Sequence, residues 1–205
     1  MTRRTGTART GVALTAAVVA ALLTACDDGG RTSPPLPPPS PSPSSGSPDA
    51  GGEAPSVPNP LDSASLTGDP CAALTEEQRS ELGLAAGSVR ESAETAGDAC
   101  RWERTEDSLD LADLALVTEN ANGLSDIYGF EDRNDYFEPT EVAGYPAVYT
   151  GLIDNRDSGM CDLWVGVNDS EVLYILTNLA SADTAEASCG LAADVADAAI
   201  STLGG

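Results

Sequence analysis

The chain has 205 residues, with 33 acidic residues against 10 basic ones and a formal net charge of −23. Such a balance argues against nucleic-acid partners, because phosphates need Lys and Arg to neutralise them. His is absent and every basic residue is Arg, which excludes Ser-His-Asp, Cys-His and Ser-Lys nucleophile activation within the chain, and His-based zinc or non-haem iron sites.

Residues 1–25 read as a lipoprotein signal peptide. Arg3, Arg4 and Arg9 form a positive start, and Gly11 to Leu23 is an uncharged apolar run too short to remain as a membrane span. Leu23-Thr24-Ala25-Cys26 resembles the lipobox of bacterial lipoproteins. The likeness implies cleavage before Cys26, a lipid on its thiol, and placement on the outer face of the cell membrane. Residues 26–65 read as a tether rich in Pro, Ser and Gly, with Pro34-Pro35-Leu36-Pro37-Pro38-Pro39 at its centre. It has little apolar surface to offset the entropy of ordering, so it is expected to be a semi-stiff spacer rather than a ligand for a proline-binding partner.

Residues 66–205 form the expected folded domain. All nine aromatic residues fall between Cys100 and Tyr174, which places the packed core in this half. Thr75-Glu76-Glu77-Gln78 is a capping box and opens a short helix ending near Gly83. Cys100-Arg101-Trp102 begins a strand, with Trp102 expected in the core, and Leu109 to Thr118 is a second strand. Gly123 to Phe130 reads as a short helix with Leu124, Ile127 and Tyr128 on one face. Glu138 to Val142 follows as a strand, then a turn at Gly144-Tyr145-Pro146. Ala147 to Ile153, Cys161 to Val167 and Glu171 to Leu179 read as three antiparallel strands. The last two are joined by a tight turn at Asn168-Asp169-Ser170, which is also a sequon but reads as a turn. Asp183 and Glu186 form a second capping box, and a helix continues to about Leu203. The fold class expected is α+β: an antiparallel sheet packed against a C-terminal helix and short N-terminal helices, with two disulfides.

With Cys26 lipidated, Cys71, Cys100, Cys161 and Cys189 remain, an even set that suits disulfides in an exported protein. No CxxC pair supports the rival reading as a metal site. Four cysteines allow three connectivities. A two-residue loop in the last hairpin would put Cys161, Leu163, Val165, Val167, Val172, Tyr174 and Leu176 on one apolar face. In the final helix, Cys189, Ala192, Ala193, Ala196, Ile200 and Leu203 recur at helical spacing. Both Cys161 and Cys189 then point into the core, which predicts a Cys161–Cys189 bridge and, by elimination, Cys71–Cys100.

Asp69-Pro70-Cys71, Cys100-Arg101-Trp102, Gly144-Tyr145-Pro146-Ala147, Cys161 in a strand and Cys189 opening the last helix together resemble an actinobacterial lipoprotein family, domain of unknown function 3558. The likeness spans most of Leu66 to Leu203. It implies an α+β fold with an antiparallel sheet and a place in the cell envelope, and it brings no activity with it.

Candidate sites are few. Asp154 to Gly159 looks like a calcium loop, but Arg156 occupies the third ligand position and no Glu follows six residues after the Gly, so it reads as a hairpin loop. Asp126, Glu131, Asp132, Asp135, Glu138 and Glu141 form a denser acidic group, read as a solvated face over a weak calcium site. Trp164 is expected opposite Cys161, with Leu173 and Ile175 beside it, on a half-apolar face that is either covered by another element or an exposed binding patch. No catalytic residue, metal or cofactor is expected. The function expected is a membrane-anchored, non-catalytic binding or accessory module of the envelope. Its partners would be the membrane through its lipid and an envelope protein or small ligand, with no nucleic acid. The alternatives are a carboxylate-dependent cell-wall hydrolase and a purely structural envelope protein.

Overall fold

A computed structural model of the chain describes residues 52–92, 95–104, 109–180 and 184–205. The signal segment, Cys26, the tether as far as residue 51, and Asp183 lie outside the described residues.

Seven strands form one antiparallel sheet: β1 Ser88–Glu91, β2 Asp98–Glu103, β3 Leu111–Val117, β4 Tyr136–Val142, β5 Tyr145–Gly151, β6 Met160–Gly166 and β7 Val172–Asn178. Their spatial order is β1-β2-β3-β7-β6-β5-β4. The helices are α1 Ala64–Gly68, α2 Glu76–Glu81, α3 Leu124–Tyr128 and α4 Ala185–Leu203. The α+β class is as the sequence predicts.

One sheet face carries the main core. Trp102, Leu114, Leu163, Val165, Leu173 and Ile175 point into it, all fully buried. Helix α4 covers it with Leu191, Val195, Ala199 and Ile200. α2 begins with the predicted capping box: Thr75 Oγ1 accepts from the Gln78 backbone N–H, and Gln78 Oε1 accepts from that of Thr75. Gln78 then reaches the far end of α4 and donates to the Ala198 carbonyl at 2.9 Å.

Both predicted disulfides form. Cys161–Cys189 ties β6 to α4, and Cys71–Cys100 ties the 3-10 turn Pro70–Ala73 to β2. Beside the first bridge, Thr177 and Ser188 share a buried hydroxyl contact of 2.9 Å, and Ser188 donates to the Gly159 carbonyl. These bonds satisfy polar groups that would otherwise be costly inside the core.

Four details differ from the sequence reading. Leu61 is buried in the core and donates its N–H to the Val167 carbonyl at 2.8 Å, and Val57 packs nearby, so ordered packing begins before Leu66. Tyr145 and Pro146 belong to β5, and the turn is Ala143-Gly144, both at positive φ. α4 is capped by Thr184, whose hydroxyl accepts from the Ala187 N–H at 3.3 Å. Its buried stripe also includes Ser188, Leu191, Val195 and Ala199, rotated from the predicted one.

The most consequential difference is the register of the last hairpin. Gly166 pairs with Val172, and the Val167 N–H donates to the Glu171 carbonyl, so three residues, Asn168 to Ser170, form the loop. A three-residue loop keeps odd positions opposite odd ones. Leu163 therefore faces Ile175, Val165 faces Leu173, and Trp164 faces Tyr174. Leu173 and Ile175 lie on the Cys161 face, and Val172, Tyr174 and Leu176 lie on the other, the reverse of the expected assignment.

Candidate functional groove

The strand order determines what covers the second sheet face. β3 is separated from β4 by three strands, so the chain between them must cross the sheet. It crosses as α3 and a 3-10 turn, Glu131–Arg133, and α3 lies over β6. Leu124 packs there against Val117, Val148, Val172 and Tyr174. Gly123 permits the crossing: its φ is +54°, and a Cβ would lie 2.8 Å from the Asp169 carbonyl oxygen. The Tyr128 and Phe137 rings meet edge to face at 4.9 Å.

This cover is partial. Between the segment Phe130 to Asn134 and the loop Gly151 to Asn155 lies an open groove of about 660 Å³. Its floor holds Asp162 and Trp164 of β6 and Tyr174 of β7. Its rim includes three large apolar side chains left in solvent: Leu152, 70 % exposed, Ile153, 64 %, and Phe130, 46 %. Arg133 completes the rim, with its guanidinium 5.1 Å from the Phe130 ring centre. A site of this size with an apolar lining and few convergent polar groups has the general form of a small-molecule site.

The floor is rigidly made. The Trp164 and Tyr174 rings lie 4.3 Å apart across neighbouring strands. The Tyr174 hydroxyl donates to Asp162 Oδ1 at 2.5 Å, and that of Tyr136 lies 3.4 Å from Oδ2. Gly151 leaves room for this meeting, since a Cβ there would lie 3.0 Å from the Tyr136 ring and 3.3 Å from Asp162 Oδ2. Burial, and next the charge of Asp162, push the Tyr136 phenol well above its ordinary pKa, so it is a neutral donor at physiological pH. Arg156 lies over the other part of this ring, 4.1 Å from its centre.

The suspected patch of Trp164, Leu173 and Ile175 is therefore divided. Trp164 is half-buried on the groove floor, and Leu173 and Ile175 are fully buried on the opposite face. The side chains that accompany Trp164 are Tyr174 and Asp162, which the sequence reading left out. An apolar pair at Leu152-Ile153, continuing past a strand into a polar loop, was the one signal for the rim.

The Asp154 to Gly159 loop uses its carboxylate internally. Arg156 donates to both oxygens of Asp154, at 2.9 and 2.7 Å, and to Glu138 at 2.8 Å. Gly159, at φ +82°, lets the loop close onto the Leu179 carbonyl, which a Cβ there would overlap. In the acidic group, Asp126 accepts from Asn122, which draws its pKa down. Among the described residues no three His, Cys, Asp or Glu side chains cluster as a metal site would require. Farther along the same sheet face, Arg101 holds Asp113 by two bonds of 2.8 and 2.6 Å, with Arg90 at 3.5 Å.

Among the described residues no helix is long and apolar enough to cross a membrane. No curated protein and no solved structure matches the chain. The profile of one family, described as Protein of unknown function (DUF3558), matches residues 21–202, and the chain belongs to that family.

Proposed function

We propose that this chain is an extracytoplasmic lipoprotein of the cell membrane whose folded unit is a non-catalytic capture module. The observation that carries the capture role is the groove of about 660 Å³, floored by Trp164, Tyr174 and Asp162 and rimmed by exposed apolar side chains. Exposed Leu, Ile and Phe gathered at one cavity mouth favour a ligand that covers them. The absence of His and Lys supports a non-catalytic reading, since the usual activating bases are missing. The lipobox-like Leu23-Thr24-Ala25-Cys26, followed by a Pro-rich tether, supports anchoring outside the membrane.

Two measurements test this. Cys26→Ala should move the protein from the membrane fraction to the soluble one, and retention would refute the lipid anchor. Native mass spectrometry of the mature protein, purified from its own envelope, should show an added mass that leaves on denaturation. Substitution of Trp164 by Ala should reduce that added mass. A bare chain under conditions that preserve weak complexes would favour a purely structural role.

A further inference from the structure

The polar side chains of the groove's floor and wall are bonded to one another, and the surface they leave open is mainly apolar, with one cation at the mouth. We infer that the groove takes an acyl monocarboxylate: an unbranched apolar tail laid on the floor beside Trp164, with its carboxylate at Arg133. The inference rests on the capture role proposed above and deepens it.

Packing argues for the tail. Asn134 Nδ2 donates to Thr150 Oγ1 at 2.7 Å, and that hydroxyl donates to the Tyr136 carbonyl at 2.8 Å. Asp162 is likewise engaged inside the protein, by Tyr174 and Tyr136. With these groups engaged, a ligand meets half-buried Ile127 and Trp164 below, and exposed Leu152, Ile153 and Phe130 above. Each methylene that covers them leaves water together with the protein surface beneath it, so tail length raises affinity. The volume, about 660 Å³, lies in the range of small-molecule sites.

Charge argues for the head. Arg133 is the basic residue that lines this groove. Arg90, Arg101 and Arg156 are ion-paired. Among the described residues Arg133 pairs with no acid, although Glu131, Asp132 and Asp135 are its neighbours in the chain. Its guanidinium lies over Phe130 instead, 5.1 Å from the ring centre, which places it at the mouth. There it is exposed, and its forked N–H donors match a carboxylate. The Asp162 charge on the floor sets the direction of entry: a carboxylate entering head first meets repulsion, and one entering tail first ends at Arg133. The exposed acids beside the mouth repel small anions, so a carboxylate without a tail gains too little to bind.

The test titrates octanoate, 1-octanol, octylammonium, decanoate and acetate into the chain carrying Cys26→Ala, so that no lipid on its own thiol competes. Each probe is kept below its micelle-forming concentration, at neutral pH and physiological ionic strength, which screens the overall negative charge. The readout is the NMR signal of the Trp164 indole N–H. Octanoate is expected to bind about fivefold or more tightly than octanol and about tenfold or more tightly than octylammonium. Decanoate should bind about threefold or more tightly than octanoate, and acetate should leave the signal in place. Arg133→Gln, a change at an exposed side chain, should bring octanoate to within about twofold of octanol and leave octanol unchanged.

Equal binding of octanoate and octanol at Trp164, tightest binding by octylammonium, or an unaltered octanoate affinity in Arg133→Gln would overturn the head assignment and leave the capture role standing. Equal affinity of decanoate and octanoate, or a shift by acetate alone, would overturn the tail. If no probe moves the Trp164 signal, the acyl class falls as a whole, and the capture role is then decided separately by the added mass in native mass spectrometry.

Discussion

The hydroxyl of Tyr174 on β7 donates to the carboxylate of Asp162 on β6 across the hairpin, one row away from the directly paired Trp164. This bond joins the two strands on the face opposite the core. It also determines what the groove floor presents, a carboxylate oriented by a phenol and flanked by two aromatic rings. Structure and proposed recognition thus share one hydrogen bond.

Tyr174→Phe removes that donor and keeps the ring. Tyr174 is buried, so Asp162 loses a bond that solvent cannot fully replace. A loss of about 1–3 kcal/mol in urea unfolding is expected, with the fold retained by circular dichroism. A change below about 0.3 kcal/mol would show that the hydroxyl contact contributes nothing to holding the hairpin.

Removing a disulfide tests the two cross-links separately. Each spans a similar stretch of chain, 29 residues for Cys71–Cys100 and 28 for Cys161–Cys189. Chain entropy alone therefore predicts nearly equal losses, about 3–4 kcal/mol each. Cys100 is fully buried inside the main apolar cluster, whereas Cys161 lies beside the Thr177 and Ser188 hydroxyls, so a Cys71→Ser, Cys100→Ser pair also places a hydroxyl in apolar surroundings. That double variant should be the less stable of the two, as measured by its melting temperature. Equal melting temperatures would mean that loop length governs both.

The legible parts of this fold are the local ones. Thr75 and Gln78 are three residues apart and bond to each other, so the capping box is visible in the chain. Cys161 faces the core by the alternation of its own strand, whatever its partner strand does. The partner's register depended on one loop residue. Asn168 accepts from the Ser170 N–H at 3.0 Å, a side-chain turn that holds three residues in the loop, and a two-residue count reverses every side chain of β7. The α4 stripe was blurred because Ala occurs on both its faces and marks neither. The groove was illegible for a different reason. It exists because the β3-to-β4 connection crosses the sheet, and strand order is not encoded in any local pattern.

Two aspartates should give stability profiles of opposite sign with pH. Burial raises the Asp113 pKa more than the Arg101 hydrogen bond and charge lower it. The folded state then holds this proton more strongly than the unfolded chain does. Its contribution is most favourable at low pH and is lost as pH rises from about 3.9 through the raised value. Asp154 is drawn down, chiefly by the Arg156 hydrogen bond, so its contribution is present above the ordinary value and lost as pH falls through the lowered one. Unfolding free energies of wild type, Asp113→Asn and Asp154→Asn across acidic to neutral pH check both signs. Relative to its variant, wild type should weaken with rising pH in the Asp113 comparison and strengthen in the Asp154 comparison. Parallel profiles for wild type and Asp113→Asn would mean that Arg101 fully compensates the burial.

Ala143 offers a stabilising substitution. It joins β4 to β5 with Gly144, and Val142 pairs directly with Tyr145, so the loop has two residues at φ +50° and +83°. Positive φ at both positions is the geometry that favours Asn-Gly or Gly-Gly, because an alanine Cβ crowds the following carbonyl. Ala143→Asn removes most of that penalty without adding Gly's freedom to the unfolded chain. It should raise stability by about 0.5–1 kcal/mol, read as a shift in the urea midpoint at constant slope. Ala143→Val, β-branched and exposed, should lower it. If both variants shift the midpoint alike, the turn conformation is not what limits the hairpin.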